Sequence, residues 1–162
     1  MKRRARYLFP LLALSIFYGC AAGILTPSHH DTEEYSNAFA AASQGNLAEL
    51  QAEVSHDRSL LKITEWDGMT LLHDAVDKSQ LAAAKYLIAE GADVLATTKD
   101  GRTPLHIASQ HGNIEMISLL LDHGAKINPV DNERMTPFDR ATKWAHSDAA
   151  AYLKEHGGHS AN

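Results

Sequence analysis

The side chains in this 162-residue chain that could do chemistry are histidines and carboxylates, with one cysteine and two tryptophans beside them. His73 and His106 lie 33 residues apart, each three residues after a threonine. A histidine can serve as a general base or a metal ligand, but such regular spacing points to a repeated structural role. His29-His30-Asp31 and the pair His156 and His159 carry donors competent for weak divalent-metal binding. Neither group has the spacing of a structural zinc site, so no metal is expected. Asp131 and Glu133 are close in sequence but are expected at the tip of a turn, not as a catalytic pair. There is no Gly-rich phosphate loop and no nucleophile elbow. No catalytic residue and no cofactor is therefore named, and the chain is read as a non-enzyme.

The elements that must position these residues recur through the chain. Thr103-Pro104-Leu105-His106-Ile107-Ala108 has counterparts in Thr70-Leu71-Leu72-His73-Asp74-Ala75, 33 residues earlier, and Thr136-Pro137-Phe138-Asp139-Arg140-Ala141, 33 later. Gly91-Ala92, Gly124-Ala125 and Gly157-Gly158 keep the same interval. Self-similarity at this period marks a stacked architecture. Thr103 is placed to cap a helix, and Pro104 suits its first position, where no backbone donor is needed. After a break at His111-Gly112, Ile114, Ile117, Leu120 and Leu121 form a second stripe at helical spacing. Gly124 follows where a left-handed terminal residue is expected. Each unit is thus helix, turn and helix, and an extended turn leads to the next. One unit cannot bury its stripe alone, so several must stack. Leu72, Leu105, Phe138, Ala75, Ala108, Ala141, Leu87, Leu120 and Leu153 are core by period.

These motifs resemble the ankyrin repeat family over roughly residues 35 to 158. Asp100-Gly101-Arg102-Thr103-Pro104-Leu105-His106 and Leu119-Leu120-Leu121-Asp122-His123-Gly124-Ala125 carry the likeness best. The second unit departs from it with Leu71 for Pro and Ser79 for the inter-helix Gly. The fourth has Arg134 for a turn Gly, Asp139 for His and Ala145 for the inter-helix Gly. A degenerate first unit starts near Tyr35, without a recognisable turn before its helix. Its Asn46 and Glu49 have capping-box spacing. The resemblance implies an all-α solenoid of about four helix-turn-helix units with short hairpin-like turns, at about 35–64, 65–97, 98–130 and 131–158, followed by a tail at 159–162. It also implies binding through turn tips and the exposed side of the first helices. By position that nominates Trp66, Asp67, Met69, Asp77 and Lys78; Lys99, Asp100, Arg102, Gln110 and His111; Asn132, Glu133, Met135, Lys143 and Trp144; and, from the first unit, Ser43 and Gln44. Both tryptophans fall outside the core periodicity, and tryptophan is prominent in interface energetics.

The start of the chain reads as an export signal. Lys2, Arg3, Arg4 and Arg6 precede an apolar stretch from Tyr7 to Ala22 that is short for a membrane span and interrupted by Pro10. The tandem arginines resemble a twin-arginine signal only weakly, because Arg6 sits where such signals prefer an apolar residue. Phe17-Tyr18-Gly19-Cys20 resembles a bacterial lipoprotein box. It implies a signal peptide at 1–19, a lipidated Cys20 and a flexible tether to residue 34 with a reach on the order of 20 Å. Ordinary cleavage after Ala22 and an uncleaved anchor are the alternatives.

Removing the leader takes four basic residues, leaving 11 Lys plus Arg against 20 Asp plus Glu, a formal charge of −9 instead of −5. That disfavours nucleic acid or a bare anionic bilayer and fits a basic protein partner, or solubility alone. The function expected is a non-catalytic, monomeric module that binds a protein, exported to the periplasm and held at the (outer) membrane through Cys20. The rival readings are an immunity lipoprotein that neutralises a periplasmic toxin, a secreted effector acting on a host, and a metal-dependent enzyme.

Overall fold

The computed structural model describes residues 32–161. Cys20, His29 and His30, the leader and most of the tether lie outside the described residues. Within them the secondary structure is helical throughout: α1 (Thr32–Gln44), α2 (Leu47–His56), a 3-10 turn (Arg58–Lys62), α3 (Leu71–Asp77), α4 (Leu81–Ala89), α5 (Pro104–Gln110), α6 (Ile114–Asp122), α7 (Pro137–Lys143) and α8 (Ser147–Glu155). They pair as four units, α1–α2 to α7–α8. No helix among the described residues is long and apolar enough to cross a membrane.

Local chemistry sets the helix starts. The Thr70 and Thr136 hydroxyls accept the amides of His73 and Asp139, at 3.4 and 3.2 Å. In unit 3 the reciprocal bond closes the turn, from the Thr103 amide to His106 Nδ1 at 3.0 Å. Asn46 caps α2, its Oδ1 accepting from the Glu49 amide. Before α3, α5 and α7 the chain makes a tight hairpin-like turn, with Glu65, Thr98 and Asp131 amides donating to the carbonyls of Met69, Arg102 and Met135.

Adjacent turns are tied to one another. The Lys99 amide donates to the Asp67 carbonyl at 2.8 Å, and the Asn132 amide to that of Asp100 at 3.0 Å. Glycine is needed where this stacking occurs. A Cβ on Gly68 would meet the Lys99 nitrogen at 2.8 Å, and one on Gly101 would meet Asn132 Oδ1 at 2.7 Å. No further turn packs on the fourth, so Arg134 is tolerated there despite a φ of 60°. Ser79 and Ala145, which replace the inter-helix glycine, are left-handed as well, at 56° and 60°. Gly124 has the left-handed φ expected of it, 88°.

The first helices pack on one another in series more closely than the second helices do, so the stack curves with α1, α3, α5 and α7 on its inner side. Leu50, Leu72, Leu87, Leu105, Leu120 and Leu153 form a continuous core between the two rows of helices, with Ala75, Ala108 and Ala141 at the close approaches. Phe138 is a correction to the expected core. It is only half-buried, because α7 belongs to the last unit and no helix stacks beyond it. Residues 159–161 take up part of that role. Thr136 Oγ1 donates to the His159 carbonyl at 2.8 Å, the Ala161 amide donates to Asp139 Oδ2 at 3.0 Å, and the Ser160 hydroxyl also reaches Asp139. Asp139 stands where units 2 and 3 have a histidine, and it fastens the end of the chain to the stack.

Candidate functional site

The inner face is built from the three turns and the outward sides of α1, α3, α5 and α7. His73 and His106 lie beneath it as structural pins. Nδ1 of His73 accepts the Thr70 amide at 3.2 Å, which leaves Nε2–H to donate to the Arg102 carbonyl at 3.3 Å. His106 repeats the arrangement with Thr103 and the Met135 carbonyl. Each ring thereby joins its own unit to the next turn. Burial holds the His73 imidazole down at about 4 and lowers His106 too, so both are neutral donors near pH 7. These rings are committed to backbone.

None of the nominated surface residues is buried in the core. Trp66 projects from its turn 83% exposed, and Trp144, at the C-terminus of α7, is 54% exposed. Lys78, Lys99, Asp100, His111, Asn132, Glu133 and Lys143 are exposed, as is Gln44. Asp67, Met69, Asp77, Arg102, Gln110, Met135 and Ser43 are half-buried. Several are tied to neighbours. Asp77 accepts from His111 Nε2 at 2.9 Å and pairs with Lys78 at 2.9 Å. Burial opposes the Asp77 charge, yet the hydrogen bonds from Lys78 and His111 prevail and hold the carboxyl below its ordinary value. Arg102 reaches Gln110 and Asp100 at 3.3 Å each.

The fourth turn departs from its expected form. Asp131, expected at an exposed tip, is buried. Its Oδ1 accepts the amides of Glu133 and Met135, and its Oδ2 takes Nε of Arg140 at 2.8 Å and Nη2 at 2.5 Å. Arg140 is 4% exposed and also bonds Glu133 at 2.9 Å, which Lys143 approaches at 3.1 Å. The hydrogen bonds from Arg140 and Lys143 hold the Glu133 carboxyl below its ordinary value. Two carboxylates and two cations thus neutralise one another in unit 4.

Unit 2 is different, and the sequence reading passed over two of its groups. Asp74 sits half-buried on α3, and the side-chain hydrogen bonds among the described residues do not include it. Burial, then the charges of Glu65, Asp77 and Asp67, push its carboxyl up to about 7. Burial and Asp67 raise Glu65 as well. The available signal was an aspartate in the slot that holds Ile107 one unit later. A groove of about 590 Å³ opens here between the start of α1 and the segment leading to Trp66, lined by Tyr35, Phe39, Lys62, Ile63, Glu65 and Trp66. Among the described residues no three His, Cys, Asp or Glu side chains are placed to hold a metal ion.

Residues 84–162 match the model of ankyrin repeats (3 copies), and residues 58–108 that of ankyrin repeats (many copies). The two matches together run from the 3-10 turn at Arg58 to residue 162. Comparison with curated proteins gave no match. An all-helical stack with these repeats is a protein–protein interaction module, of a kind that is generally non-catalytic. The chain belongs to the ankyrin repeat family.

Proposed function

We propose that the chain is a non-catalytic module of a bacterial cell envelope that grips a protein partner with the inner face of its stack. The observation that carries this reading is Trp66, a large side chain 83% exposed on its turn and lining an open groove. Tryptophan is enriched among the few residues that carry most of the binding energy of an interface. The basic leader and Cys20, outside the described residues, support export and lipid attachment, with the module on a short tether at the membrane. The acidic charge left after leader removal favours a basic partner. In this setting the module serves either as a scaffold for an envelope enzyme or as the neutraliser of a basic toxin delivered into the periplasm.

Recovery of envelope proteins on the immobilised chain tests the surface. Wild type is expected to retain a partner that the Trp66→Ala, Trp144→Ala double variant loses, and equal recovery by both refutes the assignment. Labelling cells with a palmitate analogue tests the tether, since label that persists in Cys20→Ser excludes lipidation at that residue. A deletion harmful only when a particular toxin is present selects the neutralising role.

A further inference from the structure

Units 2 and 4 place their charges at the same positions of the repeat, but with different signs. Glu65, Asp67, Asp74 and Asp77 stand 66 residues before Asp131, Glu133, Arg140 and Lys143. In unit 4 the two turn carboxylates surround the Arg140 guanidinium, and Lys143 completes the set. In unit 2 the turn carboxylates are kept while both cations are replaced by aspartates. Asp77 recovers partners in Lys78 and His111. Glu65 and Asp74 have no side-chain partner among the described residues, and Asp67 uses one oxygen on the Met69 amide. Glu65, exposed, and Asp67 and Asp74, half-buried, therefore act on one another without the arginine that unit 4 has at the Asp74 position; burial first, and neighbouring carboxylates second, push the Asp74 and Glu65 carboxyls up.

Among the described residues no turn precedes α1, and the apolar groove opens there beside the carboxylates. Turns 3 and 4 each donate an amide to the preceding turn, from Lys99 to Asp67 and from Asn132 to Asp100. The equivalent donor in unit 2 is the Trp66 amide, which has no partner among the described residues. An unpaired backbone edge, an apolar wall of Tyr35, Phe39 and Ile63, and an unbalanced carboxylate group thus lie side by side.

Resting on the reading of the inner face as protein-binding, we propose that this end of the stack docks an extended basic segment of the partner, with an arginine entering between Glu65, Asp67 and Asp74 where unit 4 carries its own Arg140. Apolar residues of the segment lie along the groove against Trp66, and its backbone accepts from the Trp66 amide. Charge complementarity and the internal precedent of unit 4 select this occupant. A planar guanidinium can bond two carboxylates at once. A metal ion fits less well, since no three ligating side chains converge among the described residues.

The test uses the full chain carrying Trp144→Phe, so that Trp66 is the fluorescent reporter, and short peptides selected from a random displayed library. Selected peptides are expected to be rich in arginine beside apolar residues, to shift Trp66 emission, and to lose affinity when arginine is replaced by citrulline. Asp74→Arg supplies the missing cation from within. It is expected to keep the fold, shown by an unchanged helical spectrum and a Tm no lower than wild type, and to weaken peptide binding by about tenfold or more. Asp74→Asn serves in its place if Asp74→Arg fails to fold. Peptides without basic residues, or equal binding by the charge variants, overturn this proposal but leave the protein-binding reading intact. So does calcium or magnesium raising the Tm of wild type but not of Asp74→Arg, which would make the space a metal site. Selected peptides that bind entirely outside the inner face count against both.

Discussion

Ser79, Arg134 and Ala145 all hold a left-handed backbone, with φ of 56°, 60° and 60°, and all three are exposed. For an L-residue that conformation costs about 1–2 kcal/mol. Glycine removes the cost but loosens the unfolded chain by about 0.4–1 kcal/mol. The net gain expected from each glycine is therefore about 0.5–1 kcal/mol. The three positions lie in separate units or separate turns and share no side-chain contact, so the gains add to about 2 kcal/mol. For a domain of this size that is a rise in Tm of about 6–10 °C. Thermal and urea unfolding of Ser79→Gly, Arg134→Gly, Ala145→Gly and their combination, followed by helical circular dichroism, measures it. Gly101→Ala is the opposing control. It places an L-residue at φ 73° with its Cβ 2.7 Å from Asn132 Oδ1, so it should lose about 1–3 kcal/mol. A triple variant no more stable than wild type would refute the argument that backbone strain at these positions is uncompensated.

Two further outcomes probe the charges. Asp74 has a folded pKa of about 7 against an ordinary 3.8, so the folded chain keeps a proton that the unfolded chain releases. Stability from this group is full below about pH 4 and is lost as pH rises to 7. At the full conversion the shift would be worth about 4 kcal/mol, but the side chain is part-exposed and solvent screening leaves about 1–2 kcal/mol. Asp74→Asn should therefore stabilise the fold by that amount at pH 8 and by nothing at pH 4, read from urea midpoints; a pH-independent difference contradicts it. Arg140→Met strands Asp131 without its cation in a buried place and should cost about 3–5 kcal/mol. Adding Asp131→Asn should return part of the loss, because the amide oxygen still accepts from Glu133 and Met135 while no buried charge remains.

Much of this architecture could be read from the residues. The repeated threonine caps, the leucine and alanine core and the glycine at 124 depend on local rules that hold in every unit, so one good unit explained its neighbours. Even the departures at Ser79, Arg134 and Ala145 were visible as missing glycines. What escaped the reading depends on where the stack stops. Phe138 is half-buried because no described helix stacks on the far side of α7, and residues 159–161 dock there on Thr136 and Asp139. Asp131 looked like a turn-tip residue until the fold brought Arg140, nine residues on, over its carboxylate. The groove beside Trp66 opens at the start of α1, where the described residues hold no turn, and an omission carries no residue to point at. The nominated binding residues were legible only as positions on a face; which of them are already paired emerged from the geometry.

The two ends of the stack are fastened unequally. At the far end Asp139 and Thr136 knot the last residues onto α7. At the near end the side-chain links from unit 1 to unit 2 among the described residues are Gln80 with the Ser43 carbonyl and Arg58 with Glu90, at solvent-facing or half-covered positions. Heating or mechanical load should therefore unzip the chain from α1 towards α8, the first units opening while the last still holds. A ligand lodged by Trp66 would act as a clasp on the end that opens first, and its arrival would slow amide exchange in α1 and α2 before any other helix noticed.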